Sequence, residues 1–213
     1  MFSAESGDKE RNNKSMAIRP FQQRMNVEEF FEFCRTHPEE RYEYIHGYAY
    51  RLMAGGDSNH SLIKMNVYRE FGIALRGGPC RAYDSDMHVR ITDDQFVLPD
   101  ASVSCDERDH GIVKALTYPC LVVEVLSPST KRYDQAQKLA YYSSVPSIKE
   151  YALISTHEKL VVVHRRQQNE SWVTHIYRAG NQIEFTSIRL NLSIEVLYEN
   201  VTFPAKTSNG PTA

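Results

Sequence analysis

One stretch of seven residues, CLVVEVL at 120–126, constrains this chain more than any other. Six of the seven are apolar, which is how a strand covered on both faces reads. A sheet therefore runs through the middle of the fold, with further layers packed on either side. The exception is Glu124. An ionised carboxylate in such a strand is costly unless it is paired or holds a cation. Glu124 either lies at the strand end and pairs with a lysine or arginine, or it belongs to a site.

The surrounding pattern mixes helix and strand. Asn26, followed three residues later by Glu29, reads as the capping box of a helix that runs through Phe30, Phe31 and Phe33 and stops before Pro38. Two strand-like runs around His46-Gly47 predict a tight hairpin. After Gly55-Gly56-Asp57-Ser58, Leu62, Ile63, Val67, Phe71 and Leu75 recur at helical spacing, predicting a long helix from about Asn59 to Leu75. Short strands are predicted at Arg81–Tyr83, His88–Ile91 and Phe96–Leu98, the last continuing through Pro99-Asp100 into Ala101–Ser104. Beyond the central strand come a helix over Tyr133–Tyr142, strands at Glu150–Ile154 and Lys159–His164, one more hairpin and a closing short helix. The fold class is α/β (an α+β mixed sheet flanked by helices). A single domain is expected over residues 20–203, with polar tails at 1–19 and 204–213.

Composition excludes several classes. Lys+Arg 25 against Asp+Glu 27 gives a net charge of −2, unlike a general nucleic-acid coat protein, though a local basic groove remains compatible. No apolar run is long enough to span a membrane, and the N-terminus has no apolar core of a signal peptide, so a cytoplasmic protein is expected. Cys34, Cys80, Cys105 and Cys120 are far apart with no paired spacing. They read as reduced thiols. No GxSxG occurs, and His157, His164 and His175 lack metal-ligand spacing.

A second acid changes the reading of Glu124. Asp100 follows Pro99 at the end of another strand, and adjacent antiparallel strands can set the two carboxylates side by side. Two buried carboxylates repel unless a cation lies between them, and a hard divalent ion suits carboxylate and carbonyl oxygens, including the carbonyl of Val125. On the following helix, Asp134, Lys138 and Tyr141 share one face. Ser127 and Ser129 read as turn residues.

Pro99-Asp100, the strand and turn Val122 to Thr130, Asp134-x3-Lys138-x2-Tyr141 and then Glu150-Tyr151 resemble the Uma-two family of the PD-(D/E)XK nuclease superfamily. The hairpin Glu43–Met53 and His60 resemble the family's upstream elements, so the likeness spans roughly Asn26 to Tyr177. It implies a restriction-endonuclease-like core and Mg²⁺-dependent hydrolysis of phosphodiester bonds in DNA, with Mn²⁺ as a substitute. Asp100 and Glu124 match the motif acids, and Glu43 matches an early acid serving a second metal position. The superfamily's motif lysine falls at Leu126 here, and Lys138 resembles a lysine migrated onto the helix. His60 and Asp86 are further site candidates. Lys131-Arg132, Lys138 and Arg165-Arg166 are candidates for a basic rim. A homodimer is expected, since cutting both strands of a duplex calls for two sites. Leu126 and the net charge leave an alternative, a lapsed nuclease that binds nucleic acid or a protein partner. A purely structural dimerisation protein is a third reading, and the two buried acids speak against it.

Overall fold

The structure is a computed structural model and describes residues 23–52, 57–126 and 133–203. Asn26 starts the first helix, α1 (Val27–Thr36). Its side chain accepts from the Glu29 N–H, and the Glu29 carboxylate accepts from the Asn26 N–H, so two otherwise orphaned donors are satisfied. The hairpin follows as β1 (Tyr42–Ile45) and β2 (Tyr48–Arg51). Its two turn residues, His46 and Gly47, have φ of 50° and 94°, the positive values a two-residue turn needs to match the strands' twist. Asp57 caps α2 (Ser58–Ala74), whose buried stripe is Ile63, Asn66, Val67 and Phe71.

Six strands come next: β3 (Arg81–Tyr83), β4 (His88–Thr92), β5 (Gln95–Val97), β6 (Ala101–Ser104), β7 (Ala115–Leu116) and β8 (Pro119–Leu126). Then follow α3 (Tyr133–Ser144), β9 (Glu150–Ser155), β10 (Leu160–Arg166), β11 (Trp172–Arg178), β12 (Gln182–Phe185), β13 (Leu190–Ser193) and α4 (Ile194–Leu197). The main sheet has the order β11-β10-β9-β8-β6-β3, and a second has the order β2-β1-β5-β4-β7. In the main sheet only β8 and β9 run parallel, joined by the crossover through α3 that a parallel pair requires.

β8 is apolar because both of its faces are covered. Leu121, Val123 and Val125 pack with Ile63, Val67 and Phe71 of α2 and with Ile194 and Leu197 of α4. Val122 and Leu126 point the other way, into a second core with Tyr142, Val145 and the second sheet's Val89, Val97 and Leu116. Alternation along the strand puts Glu124 on this second side, between the two sheets and α3.

Two expectations need correction. Phe96 to Ser104 is not one strand: β5 belongs to the second sheet and β6 to the main sheet. Pro99 has no N–H to give a ladder, so pairing lapses at Leu98-Pro99-Asp100 and the chain changes sheets there. That crossing carries Asp100 to the seam between the sheets. The cysteines also differ from the reading as four thiols, because Cys80 and Cys105 form a disulfide. Antiparallel β3 and β6 pair Arg81 with Ser104, so the next residues outward, Cys80 and Cys105, face each other. Cys34 and Cys120 are free. Among the described residues no helix is long and apolar enough to cross a membrane.

Candidate active site

Register brings the two acids together. β6 and β8 pair Ala101 with Val123 and Ser102 with Val122, so one step back Asp100 lies across from Glu124. Asp100 Oδ2 accepts the Val125 N–H at 2.8 Å. Three turns of α2 also converge on Asp100. His60 Nε2 is 3.4 Å from Oδ2, Lys64 Nζ is 3.3 Å from Oδ1, and the Tyr68 hydroxyl donates to the Asp100 carbonyl at 2.6 Å. Burial pushes the Asp100 carboxyl up. His60, the Val125 N–H and Lys64 outweigh it, so the net direction is down from the ordinary aspartate value.

Glu124 goes the other way. It is buried, and among the described residues its two donors reach the same oxygen: Lys138 Nζ at 2.8 Å and the Tyr142 hydroxyl at 2.9 Å, each on Oε1. Burial pushes its pKa up to about 7, with Lys138 pulling down and the nearby Asp100 charge pushing up. Glu43, on β1, is buried and accepts the Leu98 N–H at 3.2 Å on Oε1, next to the crossing that carries Asp100. Burial and the charges of Glu124, Tyr151 and Glu43 all raise the Tyr142 phenol, so Glu43 and Glu124 act on one hydroxyl.

Other sequence candidates are placed differently. Asp86 is an exposed turn residue after β3, its N–H donating to Asp84, and it stands outside the cluster. Tyr141 is half-buried against the second core, while the hydroxyl on Glu124 belongs to its neighbour Tyr142. Of Val125, it is the N–H that meets Asp100. Arg165 does not form a basic rim, because it pairs with the buried Glu150 and donates to the Glu184 carbonyl. Arg166 is committed to the carbonyls of Ser143, Val145 and Ile148. Each guanidinium is spent on acceptors within the fold, Arg166 also pairing with Glu170. Ser127, Ser129, Lys131, Arg132 and the Asp134 side chain lie outside the described residues, as do the expected tails.

Sequence reading missed Lys64 and Tyr142. Each is four residues beyond a residue that was singled out, His60 and Lys138, so helical spacing was the available signal. Among the described residues no group of three or more His, Cys, Asp or Glu is arranged to hold a metal ion. The donor set at the seam is nevertheless one of hard oxygens. Mg²⁺ characteristically takes one or two carboxylates and fills the remaining positions with water and substrate phosphate, and the residues fit that pattern.

A mixed sheet flanked by helices, with two acids paired across its central strands and a lysine on the next helix, defines a restriction-endonuclease-like fold. The chain belongs to the Uma2 family, described as "Putative restriction endonuclease", whose match covers residues 27–196. The uncharacterized protein slr1290 of Synechocystis sp. is 35% identical over 181 residues, covering 84% of this chain and 94% of that protein. A second Synechocystis protein, sll1609, is 28% identical over 156 residues, 71% of this chain and 87% of its own length. A crystal structure of a "putative nuclease belonging to DUF820" from Anabaena variabilis superposes with a TM-score of 0.63 at 23% identity, over 77% of this chain and 93% of that one. That likeness establishes the fold.

Proposed function

We propose that this protein is a divalent-metal-dependent endonuclease that hydrolyses phosphodiester bonds of DNA in the cytoplasm, acting as a homodimer. The observation that carries the reading is the Asp100–Glu124 pair, a partly exposed and a buried acid across one strand pair, the buried one raised to about 7 partly by the other's charge. Asp100, Glu124 and the nearby Glu43 bring three carboxylates together against the two ammonium groups of Lys64 and Lys138, a donor set suited to a dication. Asp100 and Glu124, with the Val125 carbonyl, hold Mg²⁺ in this reading, and Glu43 serves a second position. When bound, the metal lowers the pKa of a coordinated water and neutralises charge on the phosphate.

The chain's own residues do the rest. Lys138 holds Glu124 and presents an ammonium toward charge that develops on the phosphate. Tyr142 fixes the same carboxylate oxygen from within the core. His60, from the first turn of α2, steadies Asp100. The lysine comes from α3 because the motif position on β8, Leu126, is buried in the second core beside Val122 and Tyr142. Leu126 also favours a second reading, a nuclease-fold protein that binds nucleic acid without cutting it.

Calorimetric titration of Mg²⁺ and Mn²⁺, beside cleavage of supercoiled plasmid, tests the proposal. The expected result is metal binding and nicking in the native chain, both lost in Asp100→Asn and Glu124→Gln, with cleavage down at least about 1,000-fold. DNA binding with no cleavage in any metal supports the second reading instead.

A further inference from the structure

Asp100 is tethered on both oxygens. Oδ2 has the Val125 N–H at 2.8 Å and His60 Nε2 at 3.4 Å, while Oδ1 has Lys64 Nζ at 3.3 Å. Lys64 is largely buried, with 15% of its side chain exposed. An ammonium so placed needs partners, and its second one is the Ser85 hydroxyl at 3.0 Å. The tethers differ in kind. The Val125 N–H is fixed in the main sheet, whereas Lys64 is a point charge on a flexible four-carbon stem. Its ion pair is also longer than the 2.8 Å of Lys138 on Glu124.

We infer that Lys64 is the resident counter-cation of Asp100, which a divalent metal displaces from Oδ1, so that Lys64 sets the metal affinity of the site by competition. This rests on the reading of Asp100 as a metal ligand. Metal-free, the ammonium neutralises a carboxylate that has few other sources of positive charge. Metal entry at Oδ1 brings a dication against the Lys64 ammonium, and of the tethers Lys64 is the charged, flexible one that can swing aside, remaining held by Ser85. The site thus avoids an uncompensated Asp100 beside Glu124 when empty, at the cost of weaker metal binding. A dication and an ammonium a few ångströms apart repel enough to cost about tenfold in affinity even at the dielectric constant of water.

The test is calorimetric titration of Mn²⁺ into the full chain without DNA, comparing native protein with Lys64→Met, Lys64→Arg and Asp100→Asn. Lys64→Met is expected to lower the Mn²⁺ Kd about tenfold, and Lys64→Arg, which keeps the charge, to leave it within about twofold. Thermal melts identify folded variants, and Lys64→Gln replaces Lys64→Met should the latter fail to fold. Native binding that Asp100→Asn abolishes and Lys64→Met leaves unchanged or weaker overturns the competition while the metal site stands. No Mn²⁺ binding in the native chain, or binding indifferent to Asp100→Asn, overturns the metal site and the competition with it.

Discussion

Glu124 and Glu150 occupy neighbouring strands of one sheet, at 7% and 0% exposure, yet the fold treats them in opposite ways. Glu150 accepts five hydrogen bonds spread over both oxygens. Oε1 takes Arg165 Nε and the N–H and hydroxyl of Thr186, and Oε2 takes the N–H and hydroxyl of Ser187. Glu124 takes two, both on Oε1, among the described residues. A buried carboxylate with every lone pair answered joins elements, here tying β9 and β10 to the turn before β13. A buried carboxylate answered on one oxygen, facing a second acid, is kept at a cost for something else.

The sharpest way to break this contrast is the same isosteric change at both positions. Glu150→Gln leaves the Arg165 guanidinium, itself 13% exposed, with only the exposed Glu184 carboxylate at 3.6 Å as an anion, and takes the charge from a carboxylate that accepts five hydrogen bonds. It is expected to cost about 3–5 kcal/mol of stability. Glu124→Gln removes a charge the metal-free fold disfavours, and Lys138, at 18% exposure, retains access to water. Its expected effect lies within about 1 kcal/mol of neutral, or is stabilising. Urea unfolding in chelator at pH 8 measures both. A Glu124→Gln loss as large as that of Glu150→Gln makes Glu124 a structural residue.

The next effect in size is on the pH dependence of stability. Glu124 has its folded pKa raised to about 7 from 4.5. Below pH 4.5 both folded and unfolded forms hold the proton and nothing is lost. Between 4.5 and 7 the unfolded chain ionises first, so stability falls as pH rises, and above 7 the full cost of about 3 kcal/mol is present. Asp100 has the opposite sign and another window. Its folded pKa is lowered, so its contribution is present above about 3.8 and lost as pH falls through the folded value. The prediction is a metal-free stability curve that declines from pH 4.5 to 7 relative to Glu124→Gln. Parallel curves refute it.

Much of this site could be read from residue order because its pieces announce themselves locally. A charge in an apolar run marks Glu124, and antiparallel neighbours put the two acids opposite each other, whereas Pro99, expected inside one continuous strand, is where the chain changes sheets. What could not be read depends on orientation. Spacing places Lys64 on the His60 face of α2, but which face meets Asp100 is decided by how Ile63, Val67 and Phe71 seat the helix on the main sheet. Cys80 and Cys105 are 25 residues apart and flank strands too short for alternation to fix their register, so no sequence pattern pairs them. Arg165 and Arg166 read as solvent-facing charge because Glu150 and the carbonyls they meet come within reach only when the sheet forms.

The smallest predicted effects separate the two acids by the property each hydroxyl partner controls. Tyr142→Phe and Ser187→Ala each remove one hydroxyl donor, at 2.9 Å from Glu124 and 2.6 Å from Glu150. Each bond is worth about 1 kcal/mol. On Glu150 four donors remain, and loss of Ser187's hydroxyl is expected only as about 1 kcal/mol of stability, with metal affinity and cleavage unchanged. On Glu124 Lys138 is the donor that remains among the described residues, so Tyr142→Phe pushes the Glu124 pKa further up. A carboxylate that holds its proton more tightly ligates metal less well near neutral pH. Tyr142→Phe is therefore expected to weaken Mn²⁺ binding several-fold at pH 7 and to recover toward native affinity by pH 8.5, where Glu124 is ionised in both forms. Weakening that persists undiminished at pH 8.5 assigns Tyr142 to packing against Tyr151 and removes the hydroxyl from the account of the site.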